Sequence, residues 1–202
     1  MKKLLLASVA TVLLAFPAKG YAADKFEFDT VHSQIIFFVD HLGFSLSEGE
    51  FLDWDGHILF DQENPENSSV EVVIDTTSID MDDEKWNNHM KNEDFFHVEK
   101  YPTMTFKSTG IEVTGENTAN ITGDLTILDT TKPVVLAVMH RKTGPSPRGD
   151  GIKTGFSATT TIKRSEWGMN YGLPMVGDDV EIRIEIEGNK VEDEAAGDTA
   201  AE

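Results

Sequence analysis

Histidine, carboxylate and hydroxyl side chains are the groups of this chain that could carry out chemistry, because it contains no cysteine. Histidines that bind a metal from one helix are usually spaced three or four residues apart. No such pair lies on a plausible helix among His32, His41, His57, His89, His97 and His140. The spacing therefore disfavours a metal centre. A metal-dependent hydrolase is kept as the alternative, and its ligands would be His32, His41, His89 and His97.

Two other short segments resemble functional motifs but do not match them, one a calcium-binding loop and the other the nucleophile elbow of a hydrolase. The acidic run that starts at Asp80 begins like a calcium loop, but Lys85 stands where the sharp turn requires glycine. The segment from Gly43 to Ser47 departs from a nucleophile elbow at its last residue. Neither motif supports catalysis, and we predict a protein that is not an enzyme and that needs no cofactor.

The N-terminus has the pattern of an export signal. Lys2 and Lys3 precede an apolar run from Leu4 to Phe16, which is too short to span a bilayer. Small residues favour cleavage after Ala22 or Ala23, and no cysteine follows on which a lipid anchor could form. We therefore predict a signal peptide over residues 1–23, release into the periplasm and no stable insertion into the membrane.

The net charge of the chain limits the kinds of partner that the protein is expected to bind. The formal net charge is -19, and removal of residues 1–23 takes away three lysines and no acid, which gives -22. Such a field repels phosphate backbones, so binding to nucleic acid is not expected. Residues 191–202 contain almost no large apolar side chain and are predicted to form a disordered acidic tail.

The elements that position these residues follow a period of two. The segment from Val180 to Glu187 alternates apolar and polar residues without error, as a strand with one buried face does. Weaker copies occur at intervals from Phe26 to Ile162, separated by turn signals such as Asn64-Pro65. This pattern predicts one all-β domain, a sandwich or a barrel, over residues 24–190.

One segment breaks this period. From about residue 80 to residue 96, Trp86, Met90 and the pair Phe95 and Phe96 stand at roughly helical spacing after an acidic start. Acidic residues favour the positive end of a helix dipole. We predict one short helix or helical loop that packs against the sheet.

A surplus of apolar residues remains after the strands are assigned. Ile36 and Phe38 stand at the outward positions of a strand whose inward positions are apolar as well, and the chain has 12 phenylalanines. A barrel with large apolar inward residues can be solidly packed or can leave a slot for a ligand. Periodicity does not separate the two, and the outward pair would also suit a homodimer.

Eight ordered blocks of sequence point further. They comprise Asp29–Ser33 with His41–Gly43, Gly49–Phe51 with Trp54–Gly56, Ser78–Asp80, Asn88–Lys91, Asp94–Ser108, Gly123–Ile127, Thr131–Val134 and Arg164–Met169. Through them the chain resembles the YceI-like family of polyisoprenoid-binding proteins from about Phe26 to Lys190. The resemblance implies an elongated eight-stranded antiparallel barrel of lipocalin type that carries an isoprenoid or similar amphiphile in its lumen.

The resemblance and strand parity together give a candidate lipid-binding face. In the second strand, Ile35, Phe37, Val39 and His41 share one face, which carries the motif positions of the family. For most of these residues, ordinary core packing is an equally good interpretation. His41 and His89 are interpreted as buried, hydrogen-bonded structural histidines, with binding of a lipid headgroup as the alternative. The further candidates are Phe51, Ile58, Val72, Ile74, Phe106, Leu125, Leu136 and Phe156.

Overall fold

Long antiparallel strands make up most of the structure, a computed structural model that describes residues 23–192. The predicted signal peptide and acidic tail fall outside these residues, apart from Ala23 and residues 191–192. The strands are β1 (Asp24–Phe28), β2 (Gln34–His41), β3 (Ser45–Phe51), β4 (Trp54–Phe60), β5 (Ser69–Asp75), β6 (Ile79–Asp80), β7 (Thr103–Gly115), β8 (Thr118–Ile127), β9 (Thr130–Pro145), β10 (Ile152–Lys163) and β11 (Val176–Lys190). The helix is α1 (Glu84–Met90).

The strands close into a barrel. Antiparallel pairing follows the order β4, β5, β7, β8, β9, β10 and β11. β1 closes the barrel because it pairs with both β4 and β11. β2 continues β1 along the same edge of β11, β3 leads into β4, and β6 follows β5 and pairs with β3. The pairs β1 and β2, β3 and β4, and β5 and β6 each act as one interrupted strand. The eleven strands therefore occupy eight positions in the barrel wall, which confirms the predicted eight-stranded antiparallel barrel.

The uninterrupted strands of the barrel are unusually long. β9 has 16 residues and β11 has 15, so at about 3.3 Å per residue each extends roughly 50 Å. The burial of successive residues alternates along most of both strands, which gives the barrel one continuous inward face. The elongated shape implied by the family resemblance follows from these lengths.

The predicted helical segment is present but shorter than expected. α1 begins at Glu84, because the side chain of Asp83 accepts a hydrogen bond from the backbone nitrogen of Trp86 at 2.8 Å. Turns then follow from residue 91 to residue 100. Met90, Phe95 and Phe96 are buried against the barrel, so the apolar residues of this segment form a plug that fills part of one end of it, beside half-buried or exposed residues that also line the interior. Within residues 23–192, no helix has both the length and the apolar character needed to cross a bilayer.

The two ends of the barrel differ. We call the end covered by α1, by the β2–β3 turn and by the loop of residues 164–175 the helix end. We call the opposite end, with the loops at residues 61–68, 116–117 and 146–151, the hairpin end. The main core lies towards the helix end and includes Phe51, Ile79, Met104, Trp167 and Met169.

Candidate functional site

A cavity of about 720 Å³ runs through the interior of the barrel. Its volume lies within the range of pockets that bind small molecules. Residues from β1–β5 and β7–β11 line it, together with α1 and the loops at both ends. Most of the lining side chains are apolar, and most of the polar ones lie near the two ends, so the middle of the cavity favours a hydrocarbon ligand over a polar one.

Strand β11 shows how the sequence builds this wall. Val180, Ile182, Ile184 and Ile186 line the cavity, whereas the charged residues between them face solvent. The four aliphatic side chains remain half-buried because the cavity beside them is not filled with protein atoms. The most regular alternation in the sequence therefore forms a cavity wall and not a solid core.

Strand β2 places its residues on two faces as parity predicts. Phe37 is buried, lines the cavity and packs against Phe51 with ring centroids 5.8 Å apart. Phe38 points outward, and the guanidinium of Arg183 lies 4.6 Å above its ring. The outward apolar pair is thus partly covered by the chain itself.

All twelve candidate residues from the sequence line the cavity. They divide equally by burial. Six are buried: Ile35, Phe37, Phe51, Ile58, Ile74 and Phe106, of which all but Phe106 belong to a packed hydrophobic cluster. The other six are half-buried: Val39, His41, Val72, Leu125, Leu136 and Phe156. The half-buried residues present more accessible surface to the lumen than the buried ones. They are therefore the stronger candidates for direct contact with a ligand.

Several lining residues were missed by sequence reasoning. They include Phe28, Trp54, Trp86, Ile111, Val138, His140 and the aliphatic residues of β11. Parity carried enough signal to find Val138 and Ile184, since Val138 shares a face of β9 with the candidate Leu136 and Ile184 alternates with charged residues in β11. Trp86 and His140 depend on how a helix and a hairpin end fold over the lumen, and periodicity does not report that.

An aromatic group forms the mouth of the cavity at the helix end. The ring of His41 lies 6.0 Å from that of Trp86, and His89 packs edge-on against both Phe95 and Tyr171 at 5.1 Å. His89 is half-buried and contacts Asp94 at 3.2 Å, so its hydrogen bond is confirmed but not its burial. The interpretation of His41 is wrong, because it is half-buried and makes no side-chain hydrogen bond within residues 23–192.

A buried arginine organises the loop beside this mouth. The guanidinium of Arg164 donates to the backbone oxygens of Met169, Val176 and Gly177 at 2.7–3.0 Å. Burial lowers the pKa of Arg164 below its ordinary value, although Asp178 opposes this. These three bonds fix the loop that connects β10 to β11, where Tyr171 and Val176 meet the cavity.

A neutral histidine lies at the hairpin end. His140 lines the cavity between the rings of Phe60 and Phe156, each with its centroid 5.1 Å away. One ring nitrogen contacts the hydroxyl of Thr143 at 2.8 Å. Burial lowers the pKa of His140, so the ring carries no charge at neutral pH and adds little polarity to the lumen.

The metal alternative finds little support in the geometry. Within residues 23–192, the one group of three metal-compatible residues whose ligand atoms come close together is Asp29, His32 and Glu187. The ammonium of Lys153 already contacts Asp29 at 2.7 Å and Glu187 at 3.6 Å, which supplies the positive charge that a metal would bring. The hydrogen bond from Lys153, followed by that from His32, lowers the pKa of Asp29 to about 2. This outer cluster ties the junction of β1 and β2 to β10 and β11.

Fold and cavity together define a small antiparallel barrel with an apolar lumen. The profile of the YceI-like domain matches residues 26–188, and the chain belongs to this family. A UPF0312 protein of Ectopseudomonas mendocina is 41% identical over 171 residues, which cover 85% of this chain and 87% of the relative.

Solved structures share the architecture. The crystal structure of BcnA from Burkholderia cenocepacia has a TM-score of 0.73 and 26% identity, and the match covers 79% of this chain and 98% of that one. A polyisoprenoid-binding domain from Saccharophagus degradans, implicated in plant cell wall breakdown, has a TM-score of 0.61 at 13% identity. That match covers 82% of this chain and 98% of that one, and it supports the fold alone.

Proposed function

We propose that this protein is a non-catalytic binding or carrier protein that holds a polyisoprenoid, or a similar amphiphile with a quinone- or prenyl-type chain, in its barrel lumen. The observation that carries the proposal is the apolar cavity of about 720 Å³ that runs between the two ends of the barrel. The name of the Saccharophagus degradans relative is consistent with such a ligand. The N-terminal sequence supports a periplasmic location.

The energetics of the lumen suit a chain lipid. Burial of each CH₂ group contributes about 0.8 kcal/mol, so a few isoprene units provide useful affinity without any contact to a headgroup. The half-buried residues of β9 and β11 supply the required apolar surface. Because binding relies on shape and apolar contact, the protein needs neither a cofactor nor a catalytic group for this role.

Two neighbouring residues of β9 provide a direct test. Leu136 lines the cavity, whereas Val135 points outward and is exposed. Leu136→Asp should weaken binding of a fluorescent isoprenoid by at least about a hundredfold, because a charge would have to be desolvated beside the chain. Val135→Asp should leave the affinity within about twofold. Circular dichroism checks that both variants fold, and equal affinities in two folded variants would contradict the proposal.

A further inference from the structure

The exposed apolar side chains of the barrel are concentrated at one place. Among residues 23–192, five of the twelve exposed large apolar residues lie in segments 41–47 and 168–177, and the other seven are spread over the rest of the barrel. We call these five residues the apolar tip: Leu42, Phe44, Leu46, Tyr171 and Met175. Phe44 is 90% exposed and Met175 is 67% exposed, so the chain covers neither of them.

The two segments form one continuous surface. The β2–β3 turn brings Phe44 to the end of the barrel, and its backbone nitrogen bonds to the oxygen of His41 at 3.0 Å. The backbone nitrogen of Leu42 donates to the oxygen of Met175, also at 3.0 Å, and His41 pairs with Val176. Leu42 and Gly43 both have positive φ, so the turn is tight and holds Phe44 outward.

The apolar tip borders the mouth of the cavity at the helix end. His41 and Val176 line the cavity and directly precede or follow tip residues in the chain. Tyr171 belongs to both surfaces, because it lines the cavity and is also exposed. A lipid that left the lumen here would therefore pass directly onto the tip.

Charge distinguishes the tip from the rest of the protein. Charged residues make up 26% of the chain, yet segments 41–47 and 168–177 contain no Asp, Glu, Lys or Arg. The nearest charge on the β2–β3 turn is the carboxylate of Asp40, which accepts a hydrogen bond from the backbone nitrogen of Gly43 at 2.8 Å. Desolvation of this charge is costly, so insertion into hydrocarbon is limited to the tip side chains beyond it. Amphipathic aromatic rings favour the boundary of a bilayer. A chain lipid also cannot cross water freely, since each exposed CH₂ group costs about 0.8 kcal/mol.

We infer that the apolar tip docks on a lipid bilayer and that isoprenoid lipids enter and leave the lumen at this end. This inference rests on the proposed function of the lumen. The strong negative charge of the remaining surface opposes contact with anionic headgroups, so the protein docks preferentially on vesicles with zwitterionic headgroups.

The test uses the full mature chain and phosphatidylcholine vesicles. The variant Phe44→Ser/Met175→Ser removes the two most exposed side chains of the tip. Its matched control is Val31→Ser/Val135→Ser, which removes two exposed valines elsewhere on the barrel. Vesicle flotation measures docking, and loss of a fluorescent isoprenoid from the vesicles measures the rate of extraction. Farnesol dispersed in water measures the affinity of the lumen separately.

We expect the tip variant to reduce vesicle binding and the extraction rate by at least about tenfold, with farnesol affinity within about twofold of the wild type. The control variant should behave as the wild type does. If the wild type binds farnesol but does not float with vesicles, or if the tip variant floats equally well, the docking inference is overturned.

Two other outcomes are also decisive. A wild-type dimer that the tip variant dissociates, without any vesicle binding, would assign the tip to an interface between copies and overturn the inference. Vesicle binding without farnesol binding would contradict the proposed function of the lumen while the docking surface itself stands.

Discussion

The helix end of the barrel and the wall formed by β7–β9 towards the hairpin end use the same alternation of residues with opposite results. At the helix end, Phe51, Phe96 and Trp167 are each less than 10% exposed. On the β7–β9 wall, Ile111 and Val138 are half-buried, and Val113 is exposed although it lines the cavity. The segment that contains α1 packs into the first region, and within residues 23–192 no segment of comparable size packs into the second. The inward positions are therefore apolar in both regions. Whether the segment that contains α1 packs against them determines whether they become buried core or line the cavity.

The largest expected contrast is between Trp167 and Val138. Trp167 is 2% exposed, and its indole nitrogen donates to the oxygen of Leu125. Trp167→Ala should lower the free energy of unfolding by about 3–5 kcal/mol, because it leaves a cavity in packed core. Val138→Ala should cost less than about 1 kcal/mol, since half-buried Val138 already faces empty space. Urea unfolding measures both, and similar losses would erase the distinction between core and wall.

The next contrast tests the faces of β2. Phe37→Ala removes a buried ring and should cost about 3 kcal/mol of unfolding free energy, together with affinity for an isoprenoid. Phe38→Ala removes a ring that is partly covered by Arg183 and should cost about 1 kcal/mol and spare the affinity. Urea titration and ligand titration of the same samples check this. If Phe38→Ala is the variant that weakens binding, the assignment of faces is wrong.

Arg164 tests how the mouth at the helix end is held. Arg164→Lys should lower the free energy of unfolding by about 2 kcal/mol, because an ammonium cannot donate to the three separated carbonyls that the guanidinium joins. Hydrogen exchange should rise at Val176 and Gly177, beside the mouth, and stay unchanged on the β7–β9 wall. Uniform exchange throughout the barrel would contradict a local role for this residue.

The smallest expected effect concerns pH. The pKa of Asp29 is lowered from 3.8 to about 2 in the folded state, so its stabilising contribution is complete above about pH 4. The contribution is lost as pH falls towards 2. Asp29→Asn should cost about 1 kcal/mol at pH 7, and its difference from the wild type should disappear near pH 2. The exposed Asp124→Asn is the control, and a cost for Asp29→Asn that did not change with pH would exclude the ion pair as its cause.

The alternation of β11 and the turn signals are local properties of the chain, and they predicted an all-β domain, while the eight-stranded barrel came from the resemblance to the YceI-like family. Sequence reasoning also found cavity-lining residues such as Leu136, since parity gives the face of every residue in a strand of known register. It did not separate buried Ile74 from half-buried Val72, because their burial depends on how residues 81–101 fold over one end. The burial of Arg164 was missed for a similar reason, since its three acceptors lie in the following loop and at the start of β11, and their positions depend on how that loop folds back.

Native mass spectrometry of the protein, purified without detergent from the cells that produce it, tests occupancy of the lumen most directly. We expect a lipid of defined mass with an isoprenoid fragmentation pattern on the wild type and on Val135→Asp, and none on Leu136→Asp. A wild-type protein that carries no lipid, and that also takes up no added polyisoprenoid, would contradict the proposed function.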